Sequence, residues 1–114
     1  MTVKTTTRQT GDVTIVDLAG RVTVGAGAIA LSETIRQLVA AGSKKLLINL
    51  ADLAYIDSSG VGELVASLTV VTKQGGAMKL LSPSKRVAEL LHITHIDALF
   101  EIFDSEEAAV RSFS

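Results

Sequence analysis

Lys44-Lys45-Leu46-Leu47-Ile48-Asn49-Leu50, followed after a polar interruption by Val61-Gly62-Glu63-Leu64-Val65-Ala66-Ser67-Leu68-Thr69-Val70-Val71, sets the fold class of this chain. The first segment is short and almost continuously apolar, the pattern of a strand buried on both faces. In the second, Val61, Leu64, Val65, Leu68 and Val71 recur at helical spacing, and Gly75-Gly76 supplies a C-terminal stop. Upstream, Ala28 to Ala41 has the same period. Leu31, Ile35, Leu38 and Val39 form its apolar side, Glu33, Arg36 and Gln37 its polar side, and Gly42 its stop. A buried strand between two amphipathic helices predicts a sheet covered by helices and containing parallel pairs.

The flanks extend this pattern. Val3-Lys4-Thr5-Thr6-Thr7-Arg8-Gln9 is rich in β-branched residues, Gly11-Asp12 offers a turn, and Val13 to Leu18 resumes a strand pattern. A hairpin is expected there, its first strand at an edge. Gly20 to Gly27 reads as a loop and Ala77 to Leu81 as a further strand. Ser82 and Pro83 suit the N-cap and first position of a third helix, with Val87, Leu90 and Leu91 as its buried face. After Ile93 come a loop, a short apolar piece from Leu99 to Phe103, and a final helix. That helix has Asp104 or Ser105 as cap, Glu106 and Glu107 in its first turn, and Ala109, Val110 and Phe113 turned inward. The predicted order is β-β-α-β-α-β-α-β-α. It describes an α/β sandwich, a mixed sheet of four to five strands with about four helices, in one domain over residues 1–114.

Composition narrows the function. Of the 114 residues, 47% are apolar and 20% charged, so a packed core is expected. The net charge of −1 disfavours nucleic acid and anionic membranes as partners, since both normally need a basic patch. Without cysteine there is neither a disulfide framework nor a thiolate metal site. Met1 to Thr7 lacks the apolar core of a signal peptide, and no apolar run approaches the roughly 20 residues that span a bilayer. A soluble cytoplasmic protein, acting as a monomer or weak dimer, is the expectation. With Tyr55, Phe100, Phe103 and Phe113 as its only aromatics, the chain has few surfaces for stacking bases or sugars.

The interruption itself, Asp52 to Gly60, reads as a loop from the buried strand to the regular helix. Ligands and partners gather at such strand carboxyl ends in open α/β sheets. Ser58, Ser59, Gly60 and Gly62 are small enough for another backbone to come close. The residues alone leave two readings of Ser58 open. Ser58 or Asp57 is the helix N-cap, contributing about 1 kcal/mol. Alternatively, Ser58 accepts a phosphate, which adds about −1.5 to −2 charges and three acceptor oxygens. The free N–H groups of a helix start tolerate such a group, while a close interface beside Asp57 would not.

Leu50-Ala51-Asp52-Leu53-Ala54-Tyr55-Ile56-Asp57-Ser58-Ser59-Gly60-Val61-Gly62 resembles the signature of STAS domains of the anti-sigma factor antagonist type. That signature is an acidic residue, small hydroxyl residues, glycine, an aliphatic residue, then glycine or alanine. The similarity extends to Gly20-Arg21-Val22, Gly75-Gly76, Ser82-Pro83 and the segment from Ile93 to Phe103. It implies that Ser58 is phosphorylated by an anti-sigma factor that is itself a serine kinase, and that a PP2C-type phosphatase restores the serine. It also implies that Asp57, Ser59, Gly60, Val61 and Gly62 lie in or near the partner interface, and that the domain is a substrate, not an enzyme, and needs no cofactor. One position departs from the pattern. Members usually carry an acidic residue shortly after the glycine corner, where this chain has Thr23 as the matching partner-binding position, close to a basic Arg21. The partner is then a divergent kinase, or the domain works in another STAS setting, as a scaffold or transporter accessory in which Ser58 is mainly structural.

Other chemistries fit less well. His92, His95 and Asp97 fall short of a supported zinc site, which wants three or four ligands with second partners, and His92 suits a helix C-terminus. Ser58 lacks a Gly-x-Ser-x-Gly elbow, and Gly20, Gly25 and Gly27 match neither dinucleotide nor P-loop spacing. Lys44-Lys45 reads as a solvated start to the central strand.

Overall fold

The computed structural model describes residues 3–114. The hairpin is β1 (Lys4–Thr10) and β2 (Val13–Val22), followed by α1 (Ala26–Ala40), β3 (Lys45–Ile56), α2 (Ser58–Lys73), β4 (Ala77–Leu81) and α3 (Lys85–Ile93). A 3-10 turn (Ile96–Leu99), β5 (Ile102–Phe103) and α4 (Glu106–Ser112) complete the chain. One sheet has the order β1-β2-β3-β4-β5, with β1 antiparallel to β2 and every later neighbour parallel. The hairpin, its edge position and the predicted order of strands and helices are all present.

This order explains the layering. From β2 onward each strand is laid down on the same side of the last, and parallel crossovers are right-handed. The crossover helices α1, α2 and α3 therefore share one face. There Leu31 and Ile35 of α1, Val61, Leu64 and Val71 of α2, and Val87 and Leu91 of α3 enclose Val16, Leu46, Ile48, Leu50 and Leu80. Alternate strand residues point the other way: Val13, Ile15, Leu47 and Leu81 meet Ala109 and Val110 of α4 and Phe113 just after it. Leu46, Leu47 and Ile48 are each 0% exposed, as a strand covered on both faces requires.

Charge fastens α4. The Arg8 guanidinium donates to both oxygens of Asp17 (2.7 and 3.2 Å) and both of Glu106 (3.0 and 2.6 Å), and the Asn49 amide donates to Asp17 at 2.7 Å. Arg8 is the main cause holding the Asp17 and Glu106 carboxyls below their ordinary values. At the far end of α4, the Lys79 ammonium donates to the Ser112 carbonyl at 3.0 Å and lies 4.5 Å from the centre of the Phe113 ring. A cation on the last carbonyls of a helix offsets its dipole.

Three local expectations are corrected. The predicted loop from Asp52 to Gly60 is strand as far as Ile56 and helix from Ser58, with Asp57 alone between them. The predicted loop from Gly20 to Gly27 shrinks to Thr23-Val24-Gly25. Both changes have one cause: the two segments pair with each other, Gly20 with Leu53, Arg21 with Tyr55 and Val22 with Ile56, through two register shifts. Leu53 and Ile56 are buried by that pairing, whereas alone they sit among polar and small residues. Finally, Ser84 and not Ser82 caps α3, its hydroxyl accepting from the Val87 N–H at 3.3 Å. The Ser82 N–H instead donates to the Phe103 carbonyl at 2.7 Å, which holds this residue beside β5. The other stops behave as read: Gly42 and Gly75 take positive φ (95° and 78°), and Ser105 caps α4.

The short link between β3 and α2 forces close packing at Gly60. A Cβ there would meet the Val22 carbonyl oxygen at 2.5 Å and Ile56 Cγ1 at 2.6 Å, while one at Gly62 meets nothing within 4 Å. Gly60→Ala should lower stability by about 1–3 kcal/mol. Gly62→Ala should be neutral or raise it by up to about 1 kcal/mol. Urea unfolding of the two variants, compared with the parent chain, checks both values.

Candidate functional site

The site lies where the carboxyl ends of β2 and β3 feed α1 and α2. Asp57 organises it. One carboxylate oxygen accepts from the Gly60 N–H at 2.9 Å, the bond of a helix N-cap, and the other accepts from the Val24 N–H at 3.0 Å. The Asp57 N–H donates to the Val22 carbonyl at 3.2 Å, and its own carbonyl accepts from the Val61 N–H at 2.9 Å. A single residue thus ends β3, starts α2 and ties both to the β2–α1 connection. The Gly60 N–H, with those of Val24 and Ser59, holds the Asp57 carboxyl below its ordinary value of 3.8.

Of the two capping candidates, the cap is therefore Asp57. Ser58 is the first residue of α2, exposed, and its hydroxyl forms no hydrogen bond among the described residues. Ser59 and Gly62 are also exposed. Gly60 and Val61 are brought to the same turn but face inward, Val61 being 4% exposed, so they shape the surface from beneath. Thr23 is half-buried, and its carbonyl accepts from the Ala28 N–H at 3.0 Å.

Two features were not singled out from the sequence. Val24, held by Asp57 and inside the segment read as a glycine loop, is 73% exposed, and Ile29, in the segment read as a helix and now in the first turn of α1, is 56% exposed. An aliphatic residue inside a glycine-rich connection was the available signal. The second feature is a cleft of about 440 Å³, with Tyr55, Asp57 and Ser58 on one side and Arg86, Glu89 and Ile93 of α3 on the other. No local pattern connects α3 to Ser58; only the crossover through β4 does. The Asp97 carboxylate accepts from His92 Nδ1 at 2.9 Å at the end of α3, and His95 follows in the left-handed region at φ 62°. Among the described residues, no group of three or more histidine, aspartate or glutamate side chains is placed to hold a metal ion. No helix among them is long and apolar enough to cross a membrane.

The double role of Asp57 separates two substitutions. Asp57→Asn keeps an oxygen for Gly60 but presents an amide to Val24, so amide exchange should accelerate at Val24 and stay slow at Gly60. Asp57→Ala should expose both and lower the melting temperature further. Because folding lowers the pKa of this carboxyl, its stabilising contribution is full above the ordinary value of 3.8. It is lost as pH falls through the lower folded value. The stability difference between parent and Asp57→Ala should therefore narrow in acid, measurable by urea unfolding at pH 7 and below pH 3.8.

The STAS domain family profile matches residues 4–109. An anti-sigma-B factor antagonist of Bacillus subtilis is 34% identical over 96 residues, covering 84% of this chain and 86% of that protein. A Thermotoga neapolitana relative, named as a candidate anti-sigma factor antagonist, is 38% identical over 69 residues. That match spans 60% of this chain and 61% of the relative's length. A crystal structure of a candidate anti-sigma factor antagonist from Thermotoga maritima superimposes with a TM-score of 0.88 at 24% identity, covering 96% of this chain and 93% of the other. At that identity the likeness speaks for the fold: the same mixed five-stranded sheet with four helices. With the family profile matched along nearly the whole described length, and the Asp57-Ser58-Ser59-Gly60 turn standing at the junction of its two central crossovers, this chain belongs to the STAS domain family.

Proposed function

We propose that the protein is a cytoplasmic anti-sigma factor antagonist, switched off by phosphorylation at Ser58. One observation carries this reading. Asp57 supplies the helix cap, so the exposed Ser58 hydroxyl, which has no hydrogen-bond partner among the described residues, is open to another protein. Family membership and the similarity to anti-sigma-B factor antagonists support the partner class.

In the proposed cycle, an anti-sigma factor with serine-kinase activity binds the surface formed by Ser58, Ser59, Gly62 and the Thr23-Val24 connection, and releases its sigma factor. The Ser58 oxygen then attacks the γ-phosphorus of the ATP held by the kinase. An O–P bond forms at Ser58, the bond to the β-phosphate oxygen breaks, ADP leaves, and the hydroxyl proton passes to a base on the kinase. The new phosphate lies beside the Asp57 carboxylate, and burying both charges in an interface is costly. The complex separates. A PP2C-type phosphatase resets the cycle when water attacks the phosphorus, releasing inorganic phosphate and restoring the hydroxyl. With Thr23 and the exposed Val24 beside the turn in place of a carboxylate, the neighbouring partner contact is apolar.

That same missing carboxylate favours a second reading, a scaffold or transporter-accessory STAS domain in which Ser58 stays unmodified. Incubation with the serine kinases encoded in the same genome and ATP, followed by phosphopeptide mapping, separates the two. Phosphate at Ser58 is expected; phosphate at Ser59 alone, or none with any kinase, favours the scaffold. Ser58→Asp should weaken partner binding tenfold or more, about 1.4 kcal/mol. Ser58→Ala should bind like the parent chain and no longer respond to ATP, as measured by calorimetry.

A further inference from the structure

Ser58 shares its cleft with a guanidinium. The start of α2, carrying Ser58, forms one side, and α3, carrying Arg86, forms the other. Arg86 Cζ lies 6.0 Å from the centre of the Tyr55 ring, and Arg21 Cζ lies 4.9 Å from the same ring. A cation held over the half-buried Tyr55 ring by that contact alone is held weakly. Among the described residues, none of the ion pairs engages Arg86 or Arg21. Both are exposed and free to meet an anion. The acidic groups nearby are Asp57, whose oxygens are taken by backbone N–H groups, and Glu89 on the α3 side.

We propose that Arg86 is a built-in receiver for a phosphate on Ser58, drawing the modified side chain into the cleft between α2 and α3. The proposal rests on the phosphorylation of Ser58 argued above. A planar guanidinium matches two phosphate oxygens at once, and such charge-assisted pairs are about twice as strong as neutral hydrogen bonds. The cleft, at about 440 Å³, has room for the group. Arg86 offsets the repulsion between the phosphate and the carboxylates of Asp57 and Glu89. The modification then does two things: it charges the turn, and it fills a cleft whose wall includes the 71% exposed Ile93.

The test uses the full chain with phosphoserine installed at position 58 during translation, and follows the second phosphate ionisation by phosphorus NMR. That ionisation falls near 6 for an unperturbed phosphoserine. The parent chain should titrate lower, and Arg86→Gln should raise the value by about half a unit, the range of an exposed ion pair. Arg86→Lys should restore part of the shift, and Glu89→Gln should move it in the opposite direction to Arg86→Gln. Arg86 is exposed, so these variants should keep the fold, which circular dichroism verifies. Equal values in the parent chain and Arg86→Gln overturn the proposal. Because the phosphate is installed without a kinase, failure of every kinase to modify Ser58 overturns the proposed function and leaves this measurement intact.

Discussion

The Asp57 carboxylate accepts two backbone N–H groups from different parts of the chain, Gly60 in its own helix and Val24 in the connection before α1. Much of the site depends on that pair of bonds. The Gly60 bond lets α2 begin with Asp57 alone separating it from the end of β3. The Val24 bond fixes the neighbouring connection against that start. Gly60 then has to pass the Val22 carbonyl at a distance no side chain would permit. The outcome is a turn tied at both ends, with Ser58 exposed on it and its hydroxyl without a partner among the described residues.

The sheet makes this arrangement possible. The order β1-β2-β3-β4-β5 with right-handed crossovers gathers α1, α2 and α3 on one face and sets their N-termini along one edge. The opposite face is left to a short helix, α4, seven residues long, too short to be stable alone. Its packing is apolar through Ala109 and Phe113, but its placement is set by Arg8 and Lys79 at its two ends. The two faces divide the work: the three-helix face builds the site, and the α4 face closes the core.

Periodicity made most elements legible. Leu46, Leu47 and Ile48 announce a strand covered on both sides because the run is apolar at every position, and Val61, Leu64 and Val71 announce a helix face because their burial repeats about every 3.6 residues. Caps and glycine stops were legible where the partner is local, as with Ser105 and Ala108, or Gly42 after α1. They failed where the partner is distant. Ser82 looked like a cap because Pro83 follows it, yet its N–H is drawn to Phe103 on another strand.

For the site, the sequence by itself determined the turn, its small residues and the family likeness that directs attention to Ser58, since these are properties of adjacent residues. Choosing between Asp57 and Ser58 as cap was a matter for tertiary structure. Both can accept the bond from the helix start, and the Val24 N–H that also engages Asp57 comes from a separate crossover. The placing of Arg86, Tyr55 and Ile93 around Ser58 belongs to tertiary structure as well. Those side chains meet only because β3 and β4 pair in parallel and carry the ends of two crossovers to one edge of the sheet.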